Sequence, residues 1–320
     1  MPVALDIFRA LADPTRLRIV ALLRRMELSV GEIAQVLGQS QPRVSRHVKI
    51  LCDAGLATRR KEGSWAFLVP GPLHRVEPLF RALDTWQADE GENHWILADS
   101  ARLAAVHADR SAAAEKYFAA HAAQWDAIRS LHVAECEVET AMAAALAEEP
   151  IGRLVDVGTG TGRMIELFGS SAKSSIGVDR SPEMLRLARA KLGAVGLGNW
   201  ELRQGDLAAL PVPEGFADTA ILHQVLHFIP DPEGAISELA RILSASGRLL
   251  IVDFAPHDRE ELRNQDAHAR LGFSDEQMSG WFAAAGLECD LIDTLQGGTL
   301  TVKLWRARKR RETLLKVVAA

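Results

Sequence analysis

The chain has 320 residues, 48% of them hydrophobic and 25% charged, an ordinary globular composition at a length that suits two domains. Cys52, Cys136 and Cys289 lie too far apart for a disulfide framework or a C-x-x-C metal pair, and no apolar run approaches the roughly 18 residues of a membrane span, so a cytoplasmic protein with no membrane partner is expected. The net charge of -5 conceals an asymmetry, since residues 1–85 carry 13 Lys and Arg against 8 Asp and Glu while the remainder carries 24 against 34; a small basic module precedes an acidic body, as in a chain with a nucleic-acid-binding head.

From Ile7 to Arg25 apolar residues recur at helical spacing (Ile7, Leu11, Leu17, Ile19, Val20, Leu22, Leu23), broken by Asp13-Pro14-Thr15, which ends one helix and caps the next. Ser29 leads a short helix closed by Gly38, and Ser40 is the expected cap of another that runs to Leu51. In the latter, Val44, Val48 and Leu51 share a buried face and leave Gln41, Arg43, Ser45, Arg46 and Lys49 outward. Two short helices across a tight turn, the second polar and basic in its first half, make a helix-turn-helix whose second helix enters a major groove. Leu56–Lys61 and Ser64–Val69 then flank Glu62-Gly63 as a hairpin wing. Arg59, Arg60 and Lys61 are placed by that wing near phosphates, where they add affinity without reading sequence.

Leu11-Ala12-Asp13-Pro14-Thr15-Arg16-Leu17, Glu32-Ile33-Ala34 and Ser45-Arg46-His47-Val48-Lys49-Ile50-Leu51 together resemble the ArsR family of winged-helix repressors over about residues 1–85. The resemblance implies double-stranded operator DNA as a partner. It also implies a homodimer through an amphipathic helix, here Leu73 to Trp86 with Val76, Leu79, Phe80, Leu83 and Trp86 on one side, so that two reading helices meet two half-sites. Many members sense metals through cysteines where this chain has Glu27-Leu28-Ser29-Val30-Gly31-Glu32, so no metal is expected. Cys52 reads as a small packing residue, and His74, His94, His107, His121 and His132 form no ligand set.

Asp89-Glu90-Gly91-Glu92-Asn93-His94 is a polar break, followed by Ala-rich helix from Ala98 to Ala123 and a second helix from His132 to Leu146. The expected division is 1–88 for DNA binding and dimerisation, 89–149 for a helical linker and the first helices of the next part, 150–310 for a ligand-binding domain, and 311–320 for a tail.

Leu154-Val155-Asp156-Val157-Gly158-Thr159-Gly160-Thr161-Gly162 is a buried strand that breaks into glycines where the helix from Arg163 begins. Such a turn brings backbone N–H groups to a nucleotide-like ligand at a helix N-terminus. Its G-x-G-x-G spacing differs from the G-x-G-x-x-G of a dinucleotide site. Ser175 to Asp179 is a second strand ending in an acid placed to accept from ribose hydroxyls, followed by Ser181-Pro182-Glu183-Met184 as a helix start. Further strands end at Gln204-Gly205-Asp206-Leu207 and at His223-Gln224-Val225-Leu226-His227. Residues of about 115–308 resemble a class I methyltransferase domain that binds S-adenosylmethionine. The resemblance implies that Gly158, Thr159, Gly160 and Gly162 wrap the methionine part, Asp156 orients the turn or the amino group, Asp179 holds the ribose, and Asp206 with Leu207 meets the adenine. Met184 and His223 complete the expected cofactor set, and Tyr117 either covers the methionine end or simply packs.

The expected fold is therefore a winged three- or four-helix unit followed by a Rossmann-like α/β domain. The latter has a mostly parallel seven-stranded sheet closed by a hairpin of Leu287 to Ile292 and Thr299 to Trp305 around Gly297-Gly298. Methyl transfer rests chiefly on alignment, so no catalytic acid or base need be visible; His223, His227 and Asp253, at predicted strand ends, are the candidates for a base. Arg306 to Arg311 reads as a solvated basic tail. Three functions stay open: a transcription factor that senses S-adenosylmethionine or S-adenosylhomocysteine, an active small-molecule methyltransferase that also represses its own operon, and a methyltransferase whose winged helix only dimerises it. Arsenite methylation is not expected, because that chemistry uses several thiolates.

Overall fold

The computed structural model describes residues 2–62, 65–90, 95, 97–106, 108, 134–195, 197, 199–297 and 299–309. The chain forms two compact units, Met1–Ala112 and Ala113–Ala320.

In the first unit, α1 (Pro2–Leu11) and α2 (Pro14–Arg25) are separated by Asp13, whose carboxylate accepts the Arg16 N–H at 3.1 Å and caps α2. The two-residue strand β1 (Leu28–Ser29) leads into α3 (Val30–Leu37), which starts in a capping box: the Ser29 N–H donates to Glu32 at 2.7 Å and the Glu32 N–H to the Ser29 hydroxyl at 3.3 Å. Gly38, left-handed at φ 64°, ends α3. Helix α4 (Gln41–Asp53) follows; Ser40 stands at its N-cap but makes no capping bond, and Pro42 in the first turn fixes the start instead. The wing strands β2 (Ala57–Glu62) and β3 (Trp65–Pro70) pair antiparallel, and β1 adds a third strand that the hairpin pattern did not announce. Of the expected turn Glu62-Gly63, Glu62 instead ends β2 and pairs with Trp65, and Gly63 lies outside the described residues. Ile19, Leu28, Ile33, Val36, Val44, Val48, Leu51 and Leu68 form the core, each buried aliphatic contributing about 1.5–3 kcal/mol.

Next come α5 (Leu73–Glu90) and α6 (97–106). The division drawn at residue 88 differs from the packing, because α6 belongs to the first unit. Leu103 and Val106 are buried in its core, the Arg18 guanidinium holds Asp99 through two bonds of 2.6 Å, and Arg102 donates to the Val36 carbonyl at 3.2 Å. Polar sequence around residue 90 hid this, since the partners of α6 lie some 80 residues earlier in the chain.

In the second unit, α7 (Glu135–Leu146) precedes a seven-stranded sheet made of β4 (Gly152–Val157), β5 (Ala172–Asp179), β6 (Trp200–Gln204), β7 (Ala217–His223), β8 (Leu243–Phe254), β9 (Leu287–Gln296) and β10 (Thr301–Lys309). The spatial order is β6-β5-β4-β7-β8-β10-β9, parallel except that β10 runs antiparallel between β8 and β9. Strand order reverses between β4 and β7, and the crevice outside their C-terminal ends is where ligands of such sheets bind. Both faces are covered: Val155, Ala220, Leu222, Leu249 and Ile251 pack on one side, and Leu154, Ile221, Leu250, Val252 and Leu304 on the other with Val138 and Met142 of α7. The second unit also contains α8 (Arg163–Phe168), α9 (Pro182–Val195), α10 (Pro232–Ile242), α11 (Glu260–Gln265) and α12 (Asp275–Ala284).

The basic run is not a solvated tail as far as Lys309, because it forms the end of β10. Arg306 is buried and reaches Asp290 and the Ala145 carbonyl, and Arg308 reaches Asp290 and Glu149. Burial alone would raise the Asp290 carboxyl, but the two guanidinium groups bring it below the usual carboxylate range. Among the described residues no helix is long and apolar enough to cross a membrane.

Candidate functional site

In the first unit, α4 presents Gln41, Arg43, Arg46 and Lys49 to solvent with Ser45 half-buried, while Val44, Val48 and Leu51 are fully buried. The 3.6-residue period thus separates a packed stripe from a basic face. Arg59 is exposed on β2. Arg60 is not: strand alternation turns it to the opposite side, where its guanidinium grips Glu27 bidentately. The wing therefore leaves Arg59 exposed, and the side chain of Lys61 lies outside the described residues. His47 faces inward, its Nδ1 3.7 Å from Asp13, the residue that caps α2.

In the second unit, β4 ends in the glycine turn. Gly158, Gly160 and Gly162 have φ of 69°, 52° and 85°, a left-handed series that side chains resist. A Cβ on Gly158 would stand 2.4 Å from Val225, so the turn also needs the missing side chain for its close approach to the segment after β7. The Gly158 and Thr159 N–H groups donate to the Val178 carbonyl at 2.7 and 3.0 Å, and the Thr159 hydroxyl to Asp156 at 2.6 Å. Asp156 thereby shapes the turn from below. At the end of β5, the Asp179 carboxylate accepts the Gly160 N–H on one oxygen and the Ser181 N–H on the other, each at 2.8 Å. Burial pushes the Asp179 carboxyl above its usual range, and these backbone donors work against that shift. A desolvated acid with lone pairs left over suits a ligand diol. Asp206 is exposed beyond β6, takes the Ala208 N–H at 2.9 Å and lies 3.7 Å from Arg180. Met184 and Leu207 are buried. His223 is buried at the end of β7, and Tyr117 lies outside the described residues.

Two candidates that sequence spacing left separate come together. The Nδ1 of His227 lies 2.8 Å from Asp253 Oδ1, and the His227 N–H donates to Oδ2 at 3.2 Å. His268, which no motif marked, packs beside them with its ring centroid 4.2 Å from that of His227, tilted by 38°. Its arrival depends on the loop after β8 folding back, as the Arg270 N–H donates to the His227 carbonyl at 2.9 Å.

Comparison with known proteins agrees with this division. Residues 13–59 match the model described as bacterial regulatory protein, arsR family, and residues 155–251 the model described as methyltransferase domain. The arsenical resistance operon repressor of Escherichia coli (strain K12) is 47% identical over 100 residues, 31% of this chain and 85% of the repressor. The phosphatidylethanolamine N-methyltransferase of Cereibacter sphaeroides is 34% identical over 139 residues, 43% of this chain and 66% of that enzyme. The chain spans 42 to 66% of the length of three such methyltransferase relatives. A solved chain from the complex between the Haloferax volcanii Trm112 methyltransferase activator and a methyltransferase has a TM-score of 0.51 at 22% identity, over 60% of this chain and 96% of that one. It is a likeness of fold.

Proposed function

This chain belongs to the arsR family of bacterial regulatory proteins through its first unit and carries a methyltransferase domain in its second, and on that premise we propose that it is a DNA-binding regulator whose second unit binds S-adenosylmethionine or S-adenosylhomocysteine. The observation that carries the ligand is the Gly160 to Asp179 hydrogen bond, which joins the turn that cradles and the acid that holds the ribose into one preformed seat. Gly158, Thr159, Gly160 and Gly162, with Asp156 shaping them, surround the methionine part; Asp179 accepts from the ribose; Asp206, Leu207 and Met184 form the adenine rim; His223 stands near the methyl end. S-adenosylmethionine, when bound, supplies a methyl group activated by its sulfonium.

On the DNA side, Gln41, Arg43, Ser45, Arg46 and Lys49 enter the major groove and Arg59 contacts phosphate. A homodimer places two such helices on two half-sites. The exposed Leu5 and Phe8 of α1 supply apolar surface for contact with a second copy, while Val76, Leu79, Phe80 and Leu83 of α5 pack into the core of their own unit. Ligand acts on DNA binding only if it has different affinity for two arrangements of the dimer. A gel shift with the chain's own upstream DNA, with and without each adenosyl ligand, tests this: a salt-dependent complex that either ligand strengthens or releases supports it, and a complex indifferent to both contradicts it.

A second reading, an active small-molecule methyltransferase, is favoured by the His227 to Asp253 pair, which ligand sensing alone does not require.

A further inference from the structure

Burying a carboxylate costs several kcal/mol unless its lone pairs are met, and Asp253 is fully buried. Its two oxygens receive the N–H groups of His227 and Phe254 at 3.2 and 2.8 Å and face the His227 ring at 2.8 Å. Two backbone donors fix the carboxylate, and the carboxylate fixes the imidazole. An ionised acid only accepts, so the hydrogen-bond network assigns the His227 proton to Nδ1 and the lone pair to Nε2. That is the arrangement of an oriented proton acceptor.

The pair stands beside the ligand turn. His227 belongs to the short turn Leu226–Phe228 after β7, and Val225, just before it, is the residue that presses on Gly158. Three rings pack around His227 at tilts of 38 to 46°, Phe228 at 4.0 Å, His268 at 4.2 Å and Phe254 at 5.0 Å between centroids, with Phe254 and His268 stacked on each other at 14°. The loop after β8 brings His268 there, held by the Arg270 and Phe273 N–H bonds to the His227 and Phe254 carbonyls, both at 2.9 Å. A wall of flat rings around an oriented imidazole suits a flat acceptor that must lose a proton as it gains a methyl group.

We propose that His227, positioned by Asp253, takes the proton of a planar acceptor bearing a phenolic or enolic hydroxyl, and that Phe228, Phe254 and His268 hold that acceptor's ring. This rests on the reading that the second unit transfers methyl groups. The acceptor oxygen forms a bond to the methyl carbon while the carbon–sulfur bond breaks and its electron pair stays on sulfur. The hydroxyl proton passes to His227 Nε2 and from there to solvent.

The full chain is tested with 2-naphthol as probe and 1-naphthylamine as its match without a hydroxyl. Turnover with S-adenosylmethionine is expected for the naphthol alone. His227→Gln and Asp253→Asn are expected to lower it at least about a hundredfold, the lower end of what a positioned base supplies, while the calorimetric Kd for S-adenosylhomocysteine changes less than about twofold. Asp253→Glu restores part of the rate. Independently of turnover, nitrogen NMR of the wild-type chain loaded with S-adenosylhomocysteine should show His227 protonated on Nδ1, with its Nε2 signal moving when 2-naphthol is added. Unchanged rates in both variants, an unmoved Nε2 signal, or methylation of the amine in place of the naphthol overturns the proposal alone. Absence of any heat with S-adenosylhomocysteine overturns it together with the reading beneath it.

Discussion

The Gly160 amide donates to the Asp179 carboxylate at 2.8 Å, so the glycine turn after β4 and the acid at the end of β5 form one rigid piece before any ligand arrives. Asp179→Ala should therefore remove a ligand contact and loosen the turn at once. We expect S-adenosylhomocysteine affinity to fall at least about tenfold by calorimetry, as the loss of a hydrogen bond to a charged group implies, with DNA affinity in the absence of ligand unchanged.

Gly158→Ala adds a Cβ that would lie 2.4 Å from Val225 at a φ of 69°. Steric and backbone strain should cost about 1–3 kcal/mol, read as a lower denaturation midpoint of the second unit. Adenosyl binding should be lost with it, because the same turn carries both.

Arg60 and Arg59 are adjacent in sequence but not equivalent. Arg60 is paired with Glu27, whereas Arg59, Arg46 and Lys49 are exposed. Substituting Arg59 by Ala should reduce the salt dependence of DNA binding by about one charge. Arg60→Ala should leave that slope unaltered and lower the stability of the first unit, a difference seen by anisotropy titrations at several salt concentrations.

The Arg18 to Asp99 pair fastens α6 to α2, with the Trp95 ring 5.1 Å from the guanidinium carbon. Asp99→Asn should weaken this fastening by about 1–3 kcal/mol and speed hydrogen exchange of amides in 97–106 by about tenfold or more. The amides of α4 should be affected less.

Much of this was legible in sequence, for reasons that stay local. Helix period separated Arg43 and Arg46 from Val44 and Val48, and the glycine spacing announced the left-handed turn at Gly158 to Gly162. Strand alternation in β2 also held the clue to Arg60, since Arg59 and Arg60 must face opposite ways, but its partner Glu27 lies 33 residues earlier. His268 carried no signal at all. Its place comes from the fold-back of a loop with Gly272 at φ 84°, where a Cβ would strike the Ala255 carbonyl. Arg306, read as tail, was hidden because a strand rich in arginine looks solvated until Asp290 is set beside it.

Asp218 gives a pH signature. The hydrogen bonds from Arg153 hold its carboxyl down at about 2. A depressed folded value contributes stability present above the unfolded value of 3.8, and this is lost as pH falls from there through about 2. The pair is more than a third exposed on the Asp218 side, so screening reduces the contribution to about 1 kcal/mol. Asp218→Asn should lower the melting temperature at pH 6 and converge with wild type near pH 2.

In the proposed regulator one chain grips duplex DNA and an adenosyl compound, and each alters the other's binding. Anisotropy of labelled upstream DNA, titrated with S-adenosylhomocysteine at fixed protein, tests this most directly. A saturable change in DNA affinity of about fivefold or more is expected, matched by an equal factor in ligand affinity when the titration is run in reverse. DNA affinity that stays constant up to millimolar ligand, in a chain that binds both, would contradict it.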